Sequence, residues 1–190
     1  MQADTVVPDP RRPLIVDAEE GEEVVLHNEG TGVAGFLGCD IEHSRVTGLK
    51  CDLAPAAFAV VASEETTFLD NWKLEDLTAD MQNNGKGIYL EKIKSCIVSG
   101  CIMKGALECG LYTLTRQDSF PPLLIVSGSL FATDSTEGHA IINSGANLVL
   151  CNNTFVSNDC CMRENGREFE DEVPAYLMVN NIFKTTGSDK

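Results

Sequence analysis

A seven-residue pattern recurs six times along the chain and constrains the fold more than any other feature. Each copy reads apolar–x–small–turn–x–x–apolar, with Gly or Asn at the turn. The turn residues fall at positions 48, 71, 100, 128, 152 and 180, at intervals of 23, 29, 28, 24 and 28 residues. A near-constant period in this range is typical of a solenoid, in which each repeat buries its apolar face against its neighbours. The copies are residues 45–51, 68–74, 97–103, 125–131, 149–155 and 177–183.

The pattern predicts a short β-strand followed by a bend, because its alternation has period two. Gly and Asn best tolerate the left-handed backbone conformation that such a bend needs. Stacked coils would place the residues three positions after the bend in one internal column, which consists of Cys51, Leu74, Met103, Phe131, Phe155 and Phe183. The residues just before the bend are mostly small, and we expect them to fill a second, narrow interior column. Cys151 belongs to that second column.

A second short strand is predicted in most coils, at residues 58–61, 87–90, 110–113, 139–142 and 160–163. Together with the pairs Asn152–Asn153 and Asn180–Asn181, these coils resemble the parallel β-helix of the pectin-lyase-like superfamily and its asparagine ladders. The resemblance covers roughly residues 41–184. It implies an all-β, right-handed parallel β-helix of about six coils, and right-handedness also follows from the rule for parallel crossovers. It leaves the function open, because the superfamily includes lyases, hydrolases, epimerases and viral spikes.

The first 40 residues are predicted to form an extended arm and capping strands, and residues 41–190 to form the β-helix. Arg11 and Arg12 lie among three prolines, which favour an extended arm. We expect this arm to be held by the body of the fold or by a neighbouring subunit. The glycine-rich stretch at 30–35 matches a dinucleotide-binding pattern, but no helical period follows it, so we interpret it as a bend.

The charge balance excludes several classes of partner. The formal net charge is −15, from 29 acidic and 14 basic residues. That balance argues against nucleic-acid binding and against docking on anionic lipid. We predict neither a membrane span nor a signal peptide, because the chain contains no long apolar run and begins without a basic segment. Eight cysteines without a secretion signal indicate mainly buried, reduced thiols, with a disulfide or a metal site as the alternatives.

Two long insertions, at 115–122 and 164–174, are predicted to leave the solenoid from the same corner, two coils apart. Each carries one aromatic residue, Phe120 or Phe169, in a polar loop. These rings either fold back on the solenoid or form a partner-contact edge together with Arg11 and Arg12, since insertions in repeat proteins gather on binding faces.

Catalytic signals are weak. The segments around His139 and Asp159 distantly resemble the motifs of polygalacturonase-like members, but their order is reversed and no further aspartate joins them. Glu108, Glu137 and Asp159 each precede a second strand, and we expect them to form a vertical acidic row. Hydrolysis of a glycosidic bond needs two carboxyl groups at a set separation. We therefore predict no catalytic set, no metal site and no cofactor, with Asp159, His139 and Glu137 as the weak candidates.

By resemblance to free-standing phage β-helices, we expect a non-enzymatic virion structural protein made in the host cytoplasm. It would be a capsid-decorating (cement) or spike protein of a tailed phage, acting as a homotrimer in contact with major capsid or tail proteins. The first alternative is a carbohydrate-binding or polysaccharide-cleaving domain of the tailspike type, with a glycan as its partner. The second alternative is a fragment of a bacterial scaffold or adhesin.

Overall fold

A computed structural model of the chain shows an all-β parallel solenoid, with no helix among the residues it describes. It describes residues 69–114, 121–165 and 174–187, and the backbone of strands at 15–17, 24–27, 36–37, 45–47, 49–52 and 56–61. The strands are β1 (Ile15–Asp17), β2 (Val24–His27), β3 (Phe36–Leu37), β4 (Arg45–Thr47), β5 (Leu49–Asp52), β6 (Ala56–Val61), β7 (Trp72–Glu75), β8 (Thr78–Glu91), β9 (Ser95–Ser99), β10 (Ile102–Leu114), β11 (Leu123–Ser127), β12 (Leu130–Thr133), β13 (His139–Ser144), β14 (Asn147–Cys151), β15 (Thr154–Ser157), β16 (Met162–Glu164), β17 (Tyr176–Val179) and β18 (Ile182–Thr185).

Two parallel sheets form the walls of the solenoid. The seven-stranded sheet has the order β1-β4-β7-β9-β11-β14-β17, so each of its strands pairs with the equivalent strand one coil away. The eleven-stranded sheet follows β18-β15-β12-β10-β8-β5-β2, and β13, β16, β6 and β3 extend from its long strands. About four turns of the solenoid, rather than the six coils predicted, are complete among the described residues. The N-terminal strands β1 and β2 pair in parallel with β4 and β5, so they continue the same two sheets.

The bends between the two sheets confirm the repeat and correct one of its copies. Positive φ angles occur at Asp76, Gly100, Gly128, Asn152 and Asn180, between 53° and 63°. The bend predicted at residue 71 lies instead at Asp76, and the intervals from there on alternate between 24 and 28 residues. The residue at 71 also has a positive φ, of 54°, but it precedes β7 and belongs to another turn.

The predicted aromatic column is confirmed over its C-terminal coils. Met103, Phe131, Phe155 and Phe183 are register partners in successive strands. The three phenylalanine rings stack, with centroid distances of 5.9 and 5.0 Å. The column prediction was wrong for Leu74. Ala79 occupies that position, between Cys51 and Met103.

The second predicted interior column was placed one residue too late. Leu74, Val98, Val126 and Leu150 are register partners in the seven-stranded sheet, and all four are buried. Side chains alternate across a strand, so the residues that follow them must point outward. Cys151 is accordingly half-buried and not an interior residue.

The two long strands β8 and β10 run without a break through the second strands predicted at 87–90 and 110–113, and β10 also includes the end of the copy at 97–103. Their N-terminal halves pair with β5 and β12, and their C-terminal halves pair with β6 and β13. At the change of direction, Gly110 lies so close to the core that an added Cβ would be 2.7 Å from the Cβ of Phe131. Only glycine fits there without moving the aromatic column.

Candidate functional site

A ladder of polar side chains runs along the corner between the two sheets, directly after the last three bends, and consists of Ser129, Asn153 and Asn181. The amide oxygen of Asn153 accepts a hydrogen bond from the backbone N–H of Ser129 (2.9 Å), and its Nδ2 donates to the carbonyl of Val126 (2.8 Å). Asn181 repeats this arrangement one coil later, where its amide oxygen accepts from the backbone N–H of Asn153 (3.0 Å). The asparagine ladder expected from the sequence is therefore present, and its role is to join successive coils.

A second polar network holds the corner from which the two long insertions leave. Asn143 is fully buried; its Nδ2 donates to the carbonyl of Ala146 and to Oε2 of Glu164, both at 2.9 Å. Thr113 Oγ1 donates to the amide oxygen of Asn143 (2.7 Å). The hydroxyl of Tyr176 donates to Oε2 of Glu164. Since β10, β13 and β16 end in register here, the two insertions do leave from one corner, as predicted.

A charged cluster lies where β8 and β10 change direction. Lys86 Nζ is 2.5 Å from Oε2 of Glu108 and lies 5.9 and 5.5 Å from the ring centroids of Tyr89 and Tyr112. The two tyrosine rings are 5.4 Å apart, and the hydroxyl of Tyr89 donates to Oε2 of Glu91 (2.6 Å). The ammonium group of Lys86 is thus paired with a carboxylate and lies over the two tyrosine rings.

The weak catalytic candidates lie one coil further on. His139 is buried; its Nδ1 is 3.1 Å from the carbonyl oxygen of Cys160, and its Nε2 is 3.4 Å from Nη1 of Arg163. A guanidinium only donates, so this geometry fits a neutral imidazole that carries its proton on Nδ1. The carboxylate of Asp159 is 3.9 Å from Nδ1, beyond hydrogen-bonding distance, and its side chain is 57% exposed.

The predicted acidic row is interrupted at Glu137. Cys109 pairs with His139, so Glu108 falls beside Gly138, whereas Glu137 lies one residue away on an exposed turn. Glu108 is paired with a lysine and Asp159 faces a histidine. Among the described residues no three His, Cys, Asp or Glu side chains form a group that could hold a metal ion. At this corner Glu108 therefore forms an ion pair with Lys86 of the neighbouring coil, and Asp159 lies near His139.

The cysteines that the structure describes are free thiols. Burial raises the pKa of Cys101 to about 12, with a smaller contribution from Asp76, and burial likewise raises the pKa values of Cys96, Cys109 and Cys161. A thiol nucleophile must be ionised to react. These side chains act as small core hydrophobes, as the sequence predicts for buried thiols.

The outer surface of the seven-stranded sheet has a continuous uncharged face. It is formed by the outward-pointing residues of β9, β11 and β14, all half-buried or exposed. The nine residues are Ser95, Ile97, Ser99, Leu123, Ile125, Ser127, Asn147, Val149 and Cys151. The outward residues of β17, Leu177 and Val179, continue this face toward the C-terminal end.

The terminal coil, β17 and β18, exposes side chains that belong to the interior columns. Phe183 is 44% exposed, while Phe131 and Phe155 in the same column are fully buried. Met178 is 42% exposed, whereas its register partner Leu150 is fully buried. Within the part of the chain that the structure describes, no further coil packs on these two strands.

The residues predicted to contact partners, Arg11, Arg12, Phe120 and Phe169, lie outside the described residues. Sequence reasoning missed the uncharged face and the exposed terminal coil. The sequence signal for the uncharged face was a series of uncharged residues at alternate positions of three strands. This signal can be recognised only when the register of the three strands is known. No helix long and apolar enough to cross a membrane occurs in the part of the chain that the structure describes.

Comparisons with protein-family models, with curated proteins and with solved structures found no match to this chain.

Proposed function

We propose that this protein is a non-enzymatic structural subunit that acts through subunit contacts, as a homotrimer on the surface of a tailed-phage virion. In this proposal the solenoid is a right-handed β-helix of the pectin-lyase-like kind. It decorates the capsid or forms part of a spike, in contact with major capsid or tail proteins. The observation that carries the proposal is the uncharged face.

The uncharged face ends at β7, whose outward residues Lys73 and Glu75 pair with Ile97 and Ser99. At the average of 23% charged residues, about two of nine surface positions would be charged. Copies with a formal charge of −15 repel one another, so they associate most readily where no carboxylates meet. The uncharged face combines branched apolar side chains, such as Ile125, with short ones, such as Ser127, which permit close approach of two flat surfaces. Three copies around a three-fold axis would bury this face in a closed assembly.

The virion setting rests on resemblance. Free-standing β-helices of this kind resemble phage tailspikes and capsid-decorating proteins, and the ion-paired corner supports a role in contact over a role in catalysis. This part of the proposal predicts that the purified protein co-sediments with intact capsid or tail particles of a tailed phage. If the protein sediments separately from both kinds of particle, the virion setting is contradicted. That result would not affect the proposal of a trimer.

The trimer is tested by the molar mass in solution, measured by light scattering after size exclusion. Ile125→Glu places a carboxylate at the centre of the uncharged face and should lower the mass of the assembly three-fold. Leu130→Glu is the matched control, because Leu130 is an equally half-buried, outward-pointing residue on β12 in the other sheet. A wild-type monomer, or an equal effect of both substitutions, would refute the trimer.

A glycan-binding function is the second candidate, favoured by the pair Tyr89 and Tyr112 on the outer surface of β8 and β10. Aromatic rings offer apolar faces to sugar rings, and Lys86 and Glu108 beside them can hydrogen-bond hydroxyl groups. Tyr112→Ala should then abolish calorimetric binding of neutral and acidic oligosaccharides. An absence of binding by the unmodified protein would remove this candidate.

A further inference from the structure

We draw no further inference here: the strongest candidate, a cavity of about 170 Å³ between Lys73, Ile97 and Leu123 on the outer surface of β7, β9 and β11, opens onto the uncharged face already described, and nothing in the structure shows what fills it.

Discussion

Truncation of the central phenylalanine in the aromatic column should cost this protein a large part of its stability. Phe155 is fully buried and lies between two parallel rings, at 5.9 Å from Phe131 and 5.0 Å from Phe183. Phe155→Ala removes the ring and leaves a cavity that its stacked neighbours cannot fill without losing their own register.

The magnitude follows from burial and stacking. Removal of a fully buried Phe side chain typically costs about 3 to 5 kcal/mol, including the cavity left behind. Each aromatic pair contributes about 0.5 to 1.5 kcal/mol beyond its buried area, which places Phe155→Ala in the upper half of that range. Phe183→Ala is the control in the same column. Since Phe183 is 44% exposed, we expect its loss to cost roughly half as much.

The free energy of unfolding can be measured by urea titration, with Trp72 as an internal probe. Trp72 is the only tryptophan of the chain and is fully buried in β7, several coils from the substitutions. Its fluorescence and the circular dichroism should change together if the solenoid unfolds as one unit. A loss of less than about 1 kcal/mol for Phe155→Ala, or equal losses for both variants, would refute the buried aromatic column.

Two further predictions concern the ladder and the thiols. Asn153→Ala leaves the N–H of Ser129 and the carbonyl of Val126 without their buried partner, so it should lower the free energy of unfolding by about 2 to 4 kcal/mol. Asn152→Gly is the control. Because Asn152 lies at an exposed bend with a φ of 57°, its replacement should leave the free energy of unfolding nearly unchanged in the same urea titration. Because burial raises the pKa of Cys101 to about 12 from its ordinary 9.0, iodoacetamide should label the half-buried Cys151 and Cys160 before Cys101, as measured by peptide mass mapping. The neutral thiol of Cys101 is favoured in the folded state, so its contribution to stability is complete below pH 9.0 and is lost as the pH rises toward 12; a melting temperature that stays constant over this range would contradict that assignment.

The fold was predictable because a solenoid repeats one local solution. Gly100, Gly128, Asn152 and Asn180 mark bends that glycine and asparagine tolerate best, and their spacing revealed the coils. The bend of the preceding coil was predicted at the wrong residue because it lies at Asp76. Asn71, nearby, also has a positive φ but lies in a different turn. The residue of this coil that lies in the aromatic column is Ala79, whose side chain is too small to have indicated the correct register.

The direction of the side chains was harder to predict than the strands themselves. Ile97 and Val98 are neighbours in β9 and both apolar, so alternation alone could not decide which of them points inward. The structure buries Val98 and turns Ile97 outward. The uncharged face becomes visible only when the outward-pointing residues of three strands are known together with the register of those strands. One sequence alone did not reveal that register.

Several charged groups at the corners of the solenoid interact with other parts of the protein. Lys86 is paired with Glu108, Arg163 approaches His139, and Glu164 holds the backbone N–H of Gly145 (3.2 Å), so each of these charged groups interacts with a neighbour from another part of the coil stack. A catalytic group needs a side chain that is held in place but still accessible to a substrate. In the part of the chain that the structure describes, these polar groups at the corners connect coils, whereas the outward residues of β9, β11 and β14 carry no charge. The association that we propose through the uncharged face would bury this surface without desolvating a charge.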